Sequence, residues 1–196
     1  VKAVGGVSHV LLFDGATSEL ASIEYDGAGN YVSWTMRPQL VNVPLSGAET
    51  ATIDVDTTGR LWIAADNGSL VQVRYSDGLY QSWSSPITVA SGIGSDDISV
   101  ITALPNGTVG VLWSNQNSKL FGYRYHVDGA APTEWSVAEA PAAAAALNTG
   151  GGMADDHLNV AVAANGTLYA AVKTSYDSGG QTKIGLIVRR PNGQWD

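Results

Sequence analysis

The 196-residue sequence predicts an all-β fold, a β-propeller of about four blades. Three observations predict it. A glycine-centred turn is followed four times by a tryptophan, 24 to 29 residues on: Gly6 and Trp34, Gly59 and Trp83, Gly107 and Trp135, Gly166 and Trp195. The turns recur at about 50 residues, the length of one blade made of short strands. The composition agrees, with 14% charged residues and 23 glycines, as suits strands joined by tight turns.

With the four glycines aligned, each is followed by an apolar strand: Val7 to Phe13, Leu61 to Ala65, Val109 to Trp113 and Leu168 to Val172. Apolar runs of this length between turn signals read as buried strands. A further strand follows each, from Leu20 to Tyr25, Leu70 to Tyr75, Leu120 to Tyr125 and Ile184 to Arg190. The first two alternate apolar and polar residues, as a strand with one buried face does. Next come Asp26-Gly27, Asp77-Gly78, Asp128-Gly129 and Asn192-Gly193, dipeptides that tolerate the positive φ of hairpin turns. The tryptophans then open an outer strand, such as Trp83 to Ala90 or Trp135 to Glu139. Before each turn glycine lies an inner strand, from Ala51 to Val55, Ile98 to Ala103 and Leu158 to Ala163, rich in small residues as a crowded axis requires.

Val1 to Val4 supplies only the tail of a first inner strand, and Asp196 comes where a last outer strand should begin. The expectation is one domain with repeats at about 1–45, 46–92, 93–142 and 150–196. Two blades are whole and two truncated, an arc of a larger propeller. Between Ala138 and Leu147 the alanines favour helix, but Pro141 and the Asn148-Thr-Gly-Gly-Gly152 run confine it to a turn or two inside a connector.

The stretch Asp54-Val-Asp-Thr-Thr-Gly59-Arg-Leu-Trp62-Ile-Ala-Ala-Asp66-Asn67-Gly68 resembles the repeat of regulator-type β-propellers, D-x-x-G-x-L-W-I-x-T followed by an N-G turn. The layout is also similar to that of bacterial sialidase-like propellers. The Asp-box pattern of sialidases, S-x-D-x-G-x-x-W, is not met, since Thr52-Ile-Asp54 lacks the glycine two places later. The resemblance implies the propeller fold and no particular activity.

Net charge is −8, which disfavours nucleic acid and anionic membrane surfaces as partners. No apolar run reaches the ~18 residues of a membrane helix, so no membrane insertion is expected. The chain has no cysteine, so disulfides and thiolate metal sites are excluded. Few lysines with many Gly, Ser, Thr, Asn and Asp residues point to an extracellular or cell-surface setting.

Ten residues before three of the turn glycines stand Glu49, Asp97 and Asp156, with a further acid at Asp96 and Asp155. If inner strands line a channel, these carboxylates sit near one mouth, where a ring of oxygens would suit Ca²⁺. The alternative is that they accept backbone N–H bonds between blades. His157, next to Asp155 and Asp156, is the one histidine beside acids and reads as a surface hydrogen bond or a general base. The recurring tryptophans read as packing between blades. Trp62 and Trp113, three places out of register on equivalent strands, read as core. Tyr31, Tyr80 and Tyr176 lie near turns and are the candidate aromatic platforms for a ligand.

No catalytic motif is present, so the sequence reads as a binding or structural module that presents loops to a carbohydrate or protein partner. Association with another chain that completes the propeller is a further expectation, because open blade edges template pairing. The alternatives are a polysaccharide-acting hydrolase or lyase using mouth carboxylates as acid and base, and the sensor domain of a receptor.

Overall fold

The computed structural model describes residues 1–14 and 17–196, and in these the regular structure is β-strand apart from one 3-10 turn, Ala143–Ala145. The strands form four antiparallel sheets in chain order. Blade 1 contains β1 (Lys2–Val4), β2 (Val7–Phe13), β3 (Ser18–Tyr25) and β4 (Tyr31–Ser33), with β5 (Val41–Asn42) also paired to β3. Blade 2 is β6 (Ala51–Val55), β7 (Leu61–Asn67), β8 (Leu70–Ser76) and β9 (Ile87–Ser91). Blade 3 is β10 (Ser99–Leu104), β11 (Thr108–Asn115) and β12 (Leu120–Val127), and blade 4 is β13 (Leu158–Val162), β14 (Leu168–Lys173) and β15 (Ile184–Arg189). The sheets do not close into a barrel, which accords with a partial propeller. Among the described residues no helix is long and apolar enough to cross a membrane.

Each interface between blades has its own apolar cluster. Leu61 and Ile63 of β7 pack with Leu20 and Val43 of blade 1. Trp62 and Ala64, which alternate with them, pack with Ile101, Val109 and Val111 of blade 3. Leu112, Phe121 and Tyr123 meet Leu168, Ala170 and Ile187 at the third interface. A strand's side chains alternate between faces, so a blade sandwiched between two neighbours needs an apolar residue at every position. That is why β7 and β11 read as unbroken apolar runs. It also explains the two strand tryptophans. A three-residue offset puts Trp62 and Trp113 on opposite faces of successive blades, and both enter the one cluster between blades 2 and 3.

The outer strands depart from the sequence expectation. Trp83 precedes β9 instead of opening it, and Trp135 to Glu139 reduces to one bridge, Tyr123 to Glu139. The Tyr75 and Tyr125 N–H groups donate to the hydroxyls of Ser84 and Ser136 rather than to ladder carbonyls. Pro86 has no N–H to offer the ladder.

The tryptophan column is also not uniform. Trp135 packs edge-on against Trp62 of the preceding blade, and Trp195 against Tyr123 of the preceding blade. Trp34 instead points forward, toward Tyr80 of blade 2. Its N–H bonds to Ser22, whereas Ser84 and Ser136 bond to Tyr75 and Tyr125, which hold the register position of Ser22. Trp34 therefore stands one place later than Trp83 and Trp135, and a one-residue shift moves a side chain to the other face.

The inner strands are cross-linked near the axis. Asp54 on β6 accepts the Ala103 N–H of β10 at 2.8 Å and pairs with Lys2 of β1 at 2.6 Å. Thr52 Oγ1 accepts the Ile101 N–H at 2.9 Å. Residues of all four inner strands, including Lys2, Asp54, Thr102 and Val160, line one axial hollow of about 820 Å³.

On the far side of blade 4, Tyr169 and Ala171 occupy the register of Trp62 and Ala64, and Leu186 is 62% and Ile184 66% exposed beside them. The face that receives a following blade in blades 2 and 3 is open here.

Candidate functional site

The acids singled out in the sequence divide into structural and available groups. Asp97 is fully buried, and its carboxylate accepts N–H bonds from Gly94 and Gln116. It holds the start of the inner strand to the β11–β12 turn, a structural role for a carboxylate in a connection. Glu49 is exposed, and its own N–H and that of Thr50 donate to Asp66. Asp156 stands at the matching place in blade 4 and is only half-buried.

The three do not gather into one cluster among the described residues. The group of close donors is Asp155, Asp156 and His157, whose ligand atoms lie within 4.8 Å of one another. His157 Nδ1 is 2.5 Å from Asp156 and 3.1 Å from Asp155. Lys173 Nζ is 3.0 Å from Asp155, and Ser175 Oγ donates to that carboxylate at 2.7 Å. Burial works against the Asp155 anion, but hydrogen bonds with Asp156, Ser175, Lys173 and His157 outweigh it and hold the carboxyl below the usual range. Hydrogen bonds to Asp155 and then Asp156 raise the His157 imidazole, and the bond to Asp155 raises the Lys173 ammonium. Oxygen donors of this kind suit a hard cation, and the Lys173 ammonium supplies a positive charge there.

Lys173 and Ser175 were not read from the sequence. The signal lay in the repeat: Lys173 ends β14 at the position of Asp66 on β7 and Ser114 on β11, each of which bonds the start of its inner strand. That correspondence emerges only once strand register is known.

The cluster borders a hollow of about 660 Å³. It is lined by the apolar Ile98, Leu158, Ala171, Val172 and Ile184 together with the polar Asp156, His157, Asn159 and Lys173. An apolar lining with a few mixed donors and acceptors is the composition of a small-ligand site.

The three candidate aromatic platforms separate. Tyr31 is 68% exposed and stands beside Tyr25 at 5.7 Å between ring centres. Tyr80 is buried, its hydroxyl donating to the Gly59 carbonyl at 2.9 Å. Tyr176 is also buried, its hydroxyl accepting the Leu147 N–H. Both are held by packing and a satisfied hydroxyl, so Tyr31 alone of the three offers an open ring face. Another aromatic cluster joins blades 3 and 4. Glu139 receives a bidentate pair from Arg189 at 2.9 and 2.7 Å and the Trp195 indole N–H at 2.6 Å, while Arg189 lies over Tyr123.

The same architecture occurs in solved structures. A point mutant of the NanB sialidase from Streptococcus pneumoniae aligns with 91% of this chain at a TM-score of 0.57 and 13% identity. The same sialidase in complex with 2-[(3-chlorobenzyl)ammonio]ethanesulfonate gives 0.58 at 13% identity. The chain has a sialidase-like β-propeller fold. It spans 28% of the length of that sialidase. An α-L-arabinanase of Penicillium chrysogenum aligns with 96% of this chain and 57% of its own, at 12% identity and a TM-score of 0.46. No family model and no curated protein sequence matches the chain.

Proposed function

We propose that this propeller is a carbohydrate-binding module working outside the cell, with the hollow at the start of β13 as its ligand site. The observation that carries the reading is the composition of that hollow. The aliphatic part of the lining suits the apolar face of a sugar ring, and Asp156, His157, Asn159 and Lys173 offer both donors and acceptors to its hydroxyls. The fold shared with a protein named as a sialidase agrees with a carbohydrate ligand. The engagement of Asp97 and Asp66 by backbone N–H groups favours binding over hydrolysis, because these acids are spent on fastening the start of the inner strand within their own blades.

Glycan-array binding followed by calorimetry tests the reading. The protein is expected to retain a defined glycan, and Asp156→Ala combined with Lys173→Ala to weaken it about tenfold or more, since hydrogen bonds to charged groups contribute about 1.5–3 kcal/mol each. A glycan bound equally well by the double variant would place the site elsewhere and defeat the proposal.

A further inference from the structure

Two hollows repeat from one blade interface to the next, and each contains an arginine without a carboxylate. The first, about 570 Å³, lies between blades 1 and 2 and includes Ser46, Asn67, Gln72 and Arg74 with Ile63 in its wall. The second, about 660 Å³, lies between blades 2 and 3 and includes Thr88, Ser91, Asn115 and Arg124 with Trp113 in its wall.

They are the same place in successive repeats. Arg74 pairs across the sheet with Ile63, and Arg124 with Val111, the residue in the register of Ile63. Asn67 and Asn115 end the equivalent strands β7 and β11. At the third interface the same position is Ile187, and the hollow there is lined by Leu147, Met153 and Val172 among others, with no arginine.

Among the described residues the two guanidinium groups lack anionic partners. Arg74 gives Nη1 to the Ser84 carbonyl at 2.7 Å and has no carboxylate within ion-pair distance among the described residues. Arg124 has no hydrogen-bond or ion-pair partner among the described residues, and its Nε is fully buried. A buried polar group without a partner calls for a water or ion. By contrast, Arg60, Arg189 and Arg190 each have a carboxylate. The chain has 18 acidic residues, yet none lines either hollow.

The geometry points to two quasi-equivalent carboxylate-binding sites, one at each of the first two blade interfaces, that take an acidic sugar. The fork of a guanidinium matches a carboxylate's two oxygens. Ser46, Asn67 and Gln72 in one hollow, and Thr88, Ser91 and Asn115 in the other, offer hydrogen bonds to a sugar's hydroxyls. The sugar part of the assignment rests on the carbohydrate reading above. The carboxylate part stands without it.

Calorimetric titration with sodium glucuronate, against glucose as its uncharged counterpart, tests the sites. Glucuronate is expected to bind with a stoichiometry of two, and glucose about tenfold or more weakly, the difference a charge-assisted hydrogen bond makes. Arg124→Gln and Arg74→Gln should each leave one site, and the double variant none. Arg124→Lys guards against misfolding: it keeps the charge without the fork and should bind at intermediate strength. Glucuronate held no better than glucose, or held equally by a folded double arginine variant, would overturn the assignment.

Discussion

His9 shows how burial and one neighbour decide a protonation state. Its ring is enclosed by Trp34 and Tyr80, at 5.7 and 5.0 Å between centres. Nδ1 lies 2.8 Å from Ser22 Oγ, which also accepts a hydrogen bond from the buried Arg37 guanidinium. With Arg37 donating to Ser22, the serine proton is left for Nδ1, which fits a neutral imidazole. Burial, and then the charge of Arg37, lowers the pKa from 6.5 to about 4. The unfolded chain therefore binds a proton first as pH falls. Stability attributable to His9 is intact above about 6.5, drains between about 6.5 and 4, and levels off below, for a loss of about 3 kcal/mol. His157 works in the opposite sense, since a raised pKa stabilises below the unfolded value and the gain fades as pH climbs through the folded one. Urea unfolding at several pH values should thus show a His9→Gln variant losing less stability than wild type between pH 6.5 and 4. Parallel profiles would mean that the buried network does not set the titration.

At the scale of the strand, close approach of aromatic rings dictates where glycine stands. The indole of Trp113 covers Gly122 on the neighbouring β12, and a Cβ there would overlap the ring. Gly110, beneath the Tyr123 ring, is constrained likewise. Overpacking of this kind costs about 1–3 kcal/mol, so Gly122→Ala should lower the urea midpoint by a corresponding amount. An unchanged midpoint would show that Trp113 has room to move. Neither glycine was legible as a contact in the sequence, because the ring that needs it lies on another strand. The strands themselves were legible: β2, β7 and β8 follow from apolar runs bounded by Gly-containing turns. The start of blade 2's outer strand and most of blade 3's were not, because Ser84 and Ser136 replace a ladder carbonyl with a hydroxyl, whereas β9 lies largely within the expected Trp83 to Ala90. Trp34 and Trp135 both stand 28 residues after their turn glycine. Equal spacing still gave opposite faces, because the intervening hairpins absorb different numbers of residues, and the face of each ring follows only from register. Asp97 and Asp156 were legible as a column. Their different fates were not, since backbone donors enclose Asp97 whereas Lys173 and His157 surround the acids beside Asp156.

Across the whole molecule, the apolar interfaces run in one direction from blade 1 to blade 4, and Asp54 and Thr52 tie the inner strands at the axis. Polar chemistry is thereby displaced to the strand ends and to the hollows between blades. The fourth-blade hollow and the two arginine hollows all occupy such places. This distribution underlies the reading as a binding module, and it separates holding a glycan from cleaving one. The most direct test incubates the protein with the glycan it retains and follows new reducing ends by mass spectrometry. The expected result is a glycan recovered intact after prolonged incubation, with binding that declines when Asp156 and Lys173 are both replaced by alanine. Release of shorter products by the wild-type protein, abolished by Asp156→Asn, would contradict it and make the cluster at the start of β13 a catalytic centre.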